Sequence, residues 1–148
     1  MTARRPHILK PGALLTAAGL LLFSAVTFAA QDPPKRTTRD GVYTKTQAEA
    51  GKAAFDKFCL NCHGFAPSQK SNLSPDLGGD AFLTKWSGKS VRDLATLILT
   101  TMPNDGSAVL TEEQTASVVA YVLQENKFPV GGQPLKYDPA MASITIVK

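Results

Sequence analysis

The only two cysteines in the chain fall within five consecutive residues, Cys59-Leu60-Asn61-Cys62-His63. This run constrains the fold more than any other feature. Cysteines three positions apart occupy adjacent corners of one helical turn, so both sulfurs face one edge of the same object. The histidine that follows is held beside them, with its imidazole directed at whatever the sulfurs grip.

Four chemistries compete for such a run. A thiol–disulfide exchange pair sits at a helix N-terminus beside a sheet, whereas this pair follows a helical pattern and no βαβ pattern is present. A structural zinc site wants four Cys or His ligands. Only Cys59, Cys62 and His63 remain once the segment carrying His7 is set aside. A structural cysteine pair with an incidental histidine leaves the long loops and small core unexplained. Covalent attachment of haem fits the spacing: the two sulfurs take the two vinyl groups and His63 becomes one axial ligand of the iron.

The segment before the motif reads as an export signal. Arg4, Arg5 and Lys10 precede an apolar run from Gly12 to about Ala30 that ends in small residues. Residues 1–29 are expected to be cleaved, placing the mature protein in the periplasm; an uncleaved run would anchor it to the membrane. The net charge of +4 then loses its meaning. Residues 1–30 hold three basic side chains and no acid, leaving 13 basic against 12 acidic. That balance offers no basic stripe for nucleic acid.

Residues 30–45, with Asp32-Pro33-Pro34-Lys35-Arg36, are polar and aperiodic, and predict a flexible linker. A cytochrome-sized domain is expected over 46–127. Thr46-Gln47-Ala48-Glu49 fits a capping box opening a helix that runs to about Phe58. A short helix is predicted over Asp80–Trp86. Ser90 opens another, with Val91, Leu94, Leu97 and Ile98 on one stripe, stopped by Pro103. Thr111 opens the last, with Val118, Val119, Val122 and Leu123. Residues 128–148 form an extension, mostly coil, with Ile144–Val147 a candidate strand. The chain is therefore all-α, with about four helices and long loops. So little helix has scant room for a core of its own, which a large apolar cofactor would supply.

Without a second histidine in the mature chain, the iron's other axial position falls to a methionine, a lysine, water or nothing. Met102 stands where Pro103 cuts a helical run and is the preferred candidate; Met141 lies in the tail without a visible scaffold.

Taken together these residues resemble the class I (mitochondrial-type) cytochrome c family over about Thr46 to Asn126. Gly51, Phe55 and Tyr121 look like that family's crossing of first and last helices. Pro75-Asp76-Leu77-Gly78, twelve residues after His63, is similar to its Pro-x-Leu-x-Gly loop. The resemblance implies that the Pro75 carbonyl accepts the imidazole N–H, a bond that orients the ring and raises its basicity. It also implies that Met102-Pro103 supplies the distal ligand, and that Leu77, Phe82, Leu83 and Trp86 line the pocket or reach a propionate. Arg92 could pair a propionate. The ending Asn126-Lys127-Phe128-Pro129 with Gly131-Gly132 is similar to cytochromes serving quinoprotein dehydrogenases. The implied function is non-enzymatic one-electron transfer through a single haem c. Its partners would be periplasmic redox proteins: a quinoprotein dehydrogenase or quinol-oxidising complex as donor, and a terminal oxidase as acceptor. The alternatives are a haem enzyme or gas sensor with an open sixth site, and a membrane-anchored cytochrome subunit.

Overall fold

The computed structural model describes residues 34–65 and 75–148. The expected signal over 1–29 and part of the loop after the motif, 66–74, lie outside the described residues. Four α-helices carry the fold: α1 (Lys45–Phe58), α2 (Gly79–Trp86), α3 (Val91–Thr101) and α4 (Glu112–Glu125). Two short strands accompany them, β1 (Arg36–Thr37) and β2 (Ile144–Thr145). The all-α reading with long connections holds.

The helix starts follow from their caps. Ser90 and Asp93 form a reciprocal box on α3, and Thr111 and Gln114 form one on α4. The α1 start differs from expectation. Thr44, not Thr46, is its cap, accepting the Gln47 N–H at 3.2 Å. Thr44-x-x-Gln47 is itself a box-like spacing, but the Gln47 amide is used elsewhere. Its Nε2 donates to the Leu135 carbonyl at 2.7 Å, and its Oε1 accepts the Leu135 N–H at 2.8 Å.

Helix α4 is buried nearly all round from Thr115 to Ala120 and again at Val122 and Leu123, so it is the central element. It crosses α1 at Gly51. A Cβ there would stand 1.8 Å from the Ser117 carbonyl oxygen, so only a glycine lets the two backbones approach this closely. Phe55 and Tyr121 meet edge-on beside the crossing, with ring centroids 5.4 Å apart.

The stretch expected to be a flexible linker is packed from Arg36 onward. Strand β1 pairs in parallel with β2, Arg36 opposite Ile144 and Thr37 opposite Thr145. Val42 and Tyr43 are buried, and the Tyr43 hydroxyl donates to the Phe128 carbonyl at 2.6 Å. Gly41 and Gly131 touch backbone to backbone. The tail is ordered by the same contacts: a 3-10 turn at Pro139–Ser143 precedes β2, and Met141, Ile144 and Ile146 are buried. Met141, read from sequence as lacking a scaffold, is thus core. The arm's polar composition hid its buried Val42 and Tyr43, whereas β2 falls within the expected strand Ile144–Val147; the tail also packs on α3. Among the described residues no helix is long and apolar enough to cross a membrane.

Candidate cofactor site

The motif folds as turns on the end of α1. The Cys59 N–H caps the helix by donating to the Phe55 carbonyl at 2.8 Å. The Cys59 carbonyl then accepts from both Cys62 (3.0 Å) and His63 (2.9 Å). Chain reversal at the helix end therefore gathers the two sulfurs and the imidazole. The two sulfurs are not bonded to each other, and both cysteines are half-buried. Burial, and secondarily the neighbouring Cys62, pushes the Cys59 thiol up to about 11. A thiol–disulfide exchange cysteine requires the opposite, a lowered pKa at a helix N-terminus, so that rival has no support in the local electrostatics.

The His63 Nδ1 lies 3.1 Å from the Pro75 carbonyl oxygen. A carbonyl can only accept, so Nδ1 carries the donated proton and Nε2 is the ring nitrogen a metal would take. The Leu77 N–H donates to the Gly64 carbonyl at 2.9 Å, tying this connection to the residue that follows His63.

Beside the imidazole opens a cavity of about 320 Å³. Cys59, His63, Pro75, Leu77, Trp86 and Met102, all singled out in the sequence, line it. Cys62 lines a smaller adjoining cavity that shares Cys59, His63 and Met102. Met102 caps α3, its N–H donating to the Ile98 carbonyl at 3.1 Å, and its extended backbone leaves the helix at the cavity wall. Phe82 and Trp86 come from α2, Leu94, Leu97 and Ile98 from α3, and Val118 and Val122 from α4.

Several contributors escaped the sequence reading. Phe65 completes a three-ring cluster, 5.0 Å from Phe55 and 5.3 Å from Tyr121 between centroids. Ala81 and Lys85 reach the cavity from one face of α2, at the i, i+4 spacing that could have shown it, and Asn104 and Asp76 from loops. Among the described lining residues Lys85 is the single lysine or arginine. Arg92, considered for a propionate, instead stacks on the Tyr137 ring at 4.4 Å. Met141 lines a different cavity, among the arm and tail.

The donor set suits a haem attached through thioethers. It has two thiols at one end, an imidazole with its iron-binding nitrogen free, a thioether on the same cavity, and walls otherwise rich in carbon. A family model described as cytochrome c oxidase, cbb3-type, subunit III matches residues 46–122, more than half of the chain. No curated protein and no solved structure matches it.

Proposed function

The chain belongs to the family of cytochrome c oxidase, cbb3-type, subunit III, a c-type cytochrome family, and we propose that it is a one-electron carrier of the class I kind. In this reading Cys59 and Cys62 would hold a single haem c through their sulfurs, and His63 and Met102 would offer the donors to its iron. The observation that carries the proposal is the convergence of Cys59, His63 and Met102 on one apolar cavity. A haem supplies an iron centre that accepts and returns one electron. The protein does the rest. Cys59 and Cys62 would supply the S–H groups that add across the two vinyl groups, an addition that needs no oxidant. The Pro75 carbonyl keeps the proton on His63 Nδ1 and the ring oriented. The Met102 thioether would favour the ferrous state and raise the potential. Phe82, Trp86 and Leu94 exclude water from the pocket.

With both donors engaged the iron would have no vacancy for a substrate, which suits electron transfer rather than haem enzymology. The partners proposed are redox proteins of a respiratory chain: a periplasmic dehydrogenase (a quinoprotein among them) as donor and a terminal oxidase as acceptor, met through small, transient contacts. Periplasmic residence is part of the proposal, supported by the basic and then apolar composition of residues 4–30.

The test is optical. Protein purified from a host able to mature c-type cytochromes should keep its colour through acidic acetone. The oxidised form should show the weak far-red band of sulfur ligation. Met102→Ala should abolish that band and lower the midpoint potential. Colour that washes out refutes covalent attachment, and an unchanged Met102→Ala spectrum moves the assignment to an open sixth site. A second reading, a subunit resident in a membrane oxidase, is favoured by the description of the matched family. Co-purification with an oxidase in detergent and an intact Met1 would establish it; release as a free protein beginning near Ala30 would support the carrier.

A further inference from the structure

Asn126, where α4 ends, uses one amide group for three hydrogen bonds. Its Nδ2 donates to the Val122 carbonyl at 2.8 Å, an ordinary bond within the helix end, and to the Leu77 carbonyl at 2.8 Å. Its Oδ1 accepts the Gly79 N–H at 2.9 Å. Two carbonyls and one N–H around a single amide allow only this orientation of the group. The last two bonds reach back 49 and 47 residues, so they do more than end a helix. They fasten the connection between Pro75 and α2 to the end of the central helix.

The same connection is gripped from its other side by the residues after His63. The Leu77 N–H reaches the Gly64 carbonyl, and Gly78 packs so closely on the Phe65 carbonyl that a Cβ would stand 2.6 Å away. Leu77 is thus bonded at its N–H to the motif side and at its carbonyl to Asn126. Pro75, two residues earlier, carries the carbonyl facing His63 Nδ1 at 3.1 Å. That distance is near the long end of the ~2.7–3.2 Å range for such bonds, so it tolerates little displacement of the loop.

We propose that Asn126 is a positioning residue for the axial histidine. By holding Leu77 and Gly79 against α4 it keeps the Pro75 carbonyl on the His63 N–H, and so sets the ring's orientation and the donor strength of Nε2. The inference rests on the reading of His63 as an iron ligand. When the Pro75 bond weakens, the imidazole donates less, the ferric state is stabilised less, and the potential rises.

The experiment compares haem-loaded wild type with Asn126→Leu and Gln47→Leu. Gln47 is the matched control: its amide also clamps backbone with two bonds, at Leu135, and it does not line the cavity. Both variants should unfold at lower temperature. Only Asn126→Leu should shift the midpoint potential upward and speed exchange of the His63 Nδ1 proton seen by NMR. A less stable Asn126→Leu with wild-type potential and proton exchange overturns the proposal, as do equal potential shifts in both variants. Hydrogen exchange in unsubstituted protein gives an independent reading if Asn126→Leu does not accumulate. The Gly79 amide and the His63 Nδ1 proton should open together across a denaturant series, and uncoupled opening refutes the clamp. A wild-type chain that emerges colourless refutes the haem reading and the proposal with it, an outcome visible in the first spectrum.

Discussion

At Tyr43 one buried side chain joins the arm before α1 to the residues after α4. It is fully buried, and its hydroxyl donates to the Phe128 carbonyl at 2.6 Å. Removing the hydroxyl leaves that carbonyl unsatisfied, at a cost of about 1 kcal/mol for a neutral pair. Burial also raises the phenol above its ordinary value of 10. A group whose folded value exceeds its unfolded one contributes stability that is complete below the unfolded pKa and lost as pH rises through the folded pKa. Tyr43→Phe should therefore lower stability at pH 7 by about 1 kcal/mol, and the gap to wild type should narrow above pH 10. Denaturant midpoints across that range decide it; a gap that widens with pH would contradict the assignment. The same reasoning separates Cys59 from redox thiols. Its thiol is raised to about 11, so before attachment it is held neutral, and any stability this lends is lost only at alkaline pH.

Helices α2, α3 and α4 were legible because their signals are local. Ser90 with Asp93 and Thr111 with Gln114 are caps written within four residues, and the apolar stripes that follow recur at helical spacing. The residues that line the candidate site were legible where one segment carries them, at Cys59-Leu60-Asn61-Cys62-His63 and at Met102-Pro103. Pro75 and Leu77 came through family resemblance, and both reach the cavity. What stayed hidden depends on pairings far apart in the chain. Nothing near Arg36 says that Ile144 lies beside it, nor near Gln47 that Leu135 does. Composition made the arm look like linker and most of the tail like coil, with only the strand at Ile144–Val147 visible, because sparse apolar residues are informative only when their partners are known. The β1–β2 clasp yields its own expectation. Ile146 is fully buried, its N–H donating to the Lys89 carbonyl at 2.9 Å and its carbonyl accepting from Gly88. Ile146→Ala should cost about 3 kcal/mol, as for other buried Ile truncations, while the visible spectrum of the loaded protein stays unchanged, since Ile146 does not line the cavity. A spectral change would show the clasp and the site to be coupled.

Across the described residues the apolar interior serves two different surfaces. One is the α1–α4 crossing together with the clasp, closed by protein alone at Gly51, Tyr43, Met141 and Ile146. The other is the cavity wall, where Phe82 and Trp86 of α2 and Leu94 of α3 face space that haem is proposed to fill. Helix α2 depends on the second surface most. It is short, Gly78 gives it no side-chain cap, and its first N–H is held by Asn126. The two regions should therefore separate when the cofactor is withheld. In a Cys59→Ser/Cys62→Ser chain, amides of α1 and α4 around Gly51 and Ser117, and that of Ile146, should keep much of their hydrogen-exchange protection. Those of α2 and of Leu77 should fall toward free-chain rates, since local opening follows the loss of buried apolar contacts. Uniform loss throughout would mean that the protein-only core cannot stand without the cofactor, and that the clasp stabilises only what the haem has already folded. Differential loss would place the molecule's folding information in the helix crossing and clasp, with the cavity as the part left to be completed by attachment.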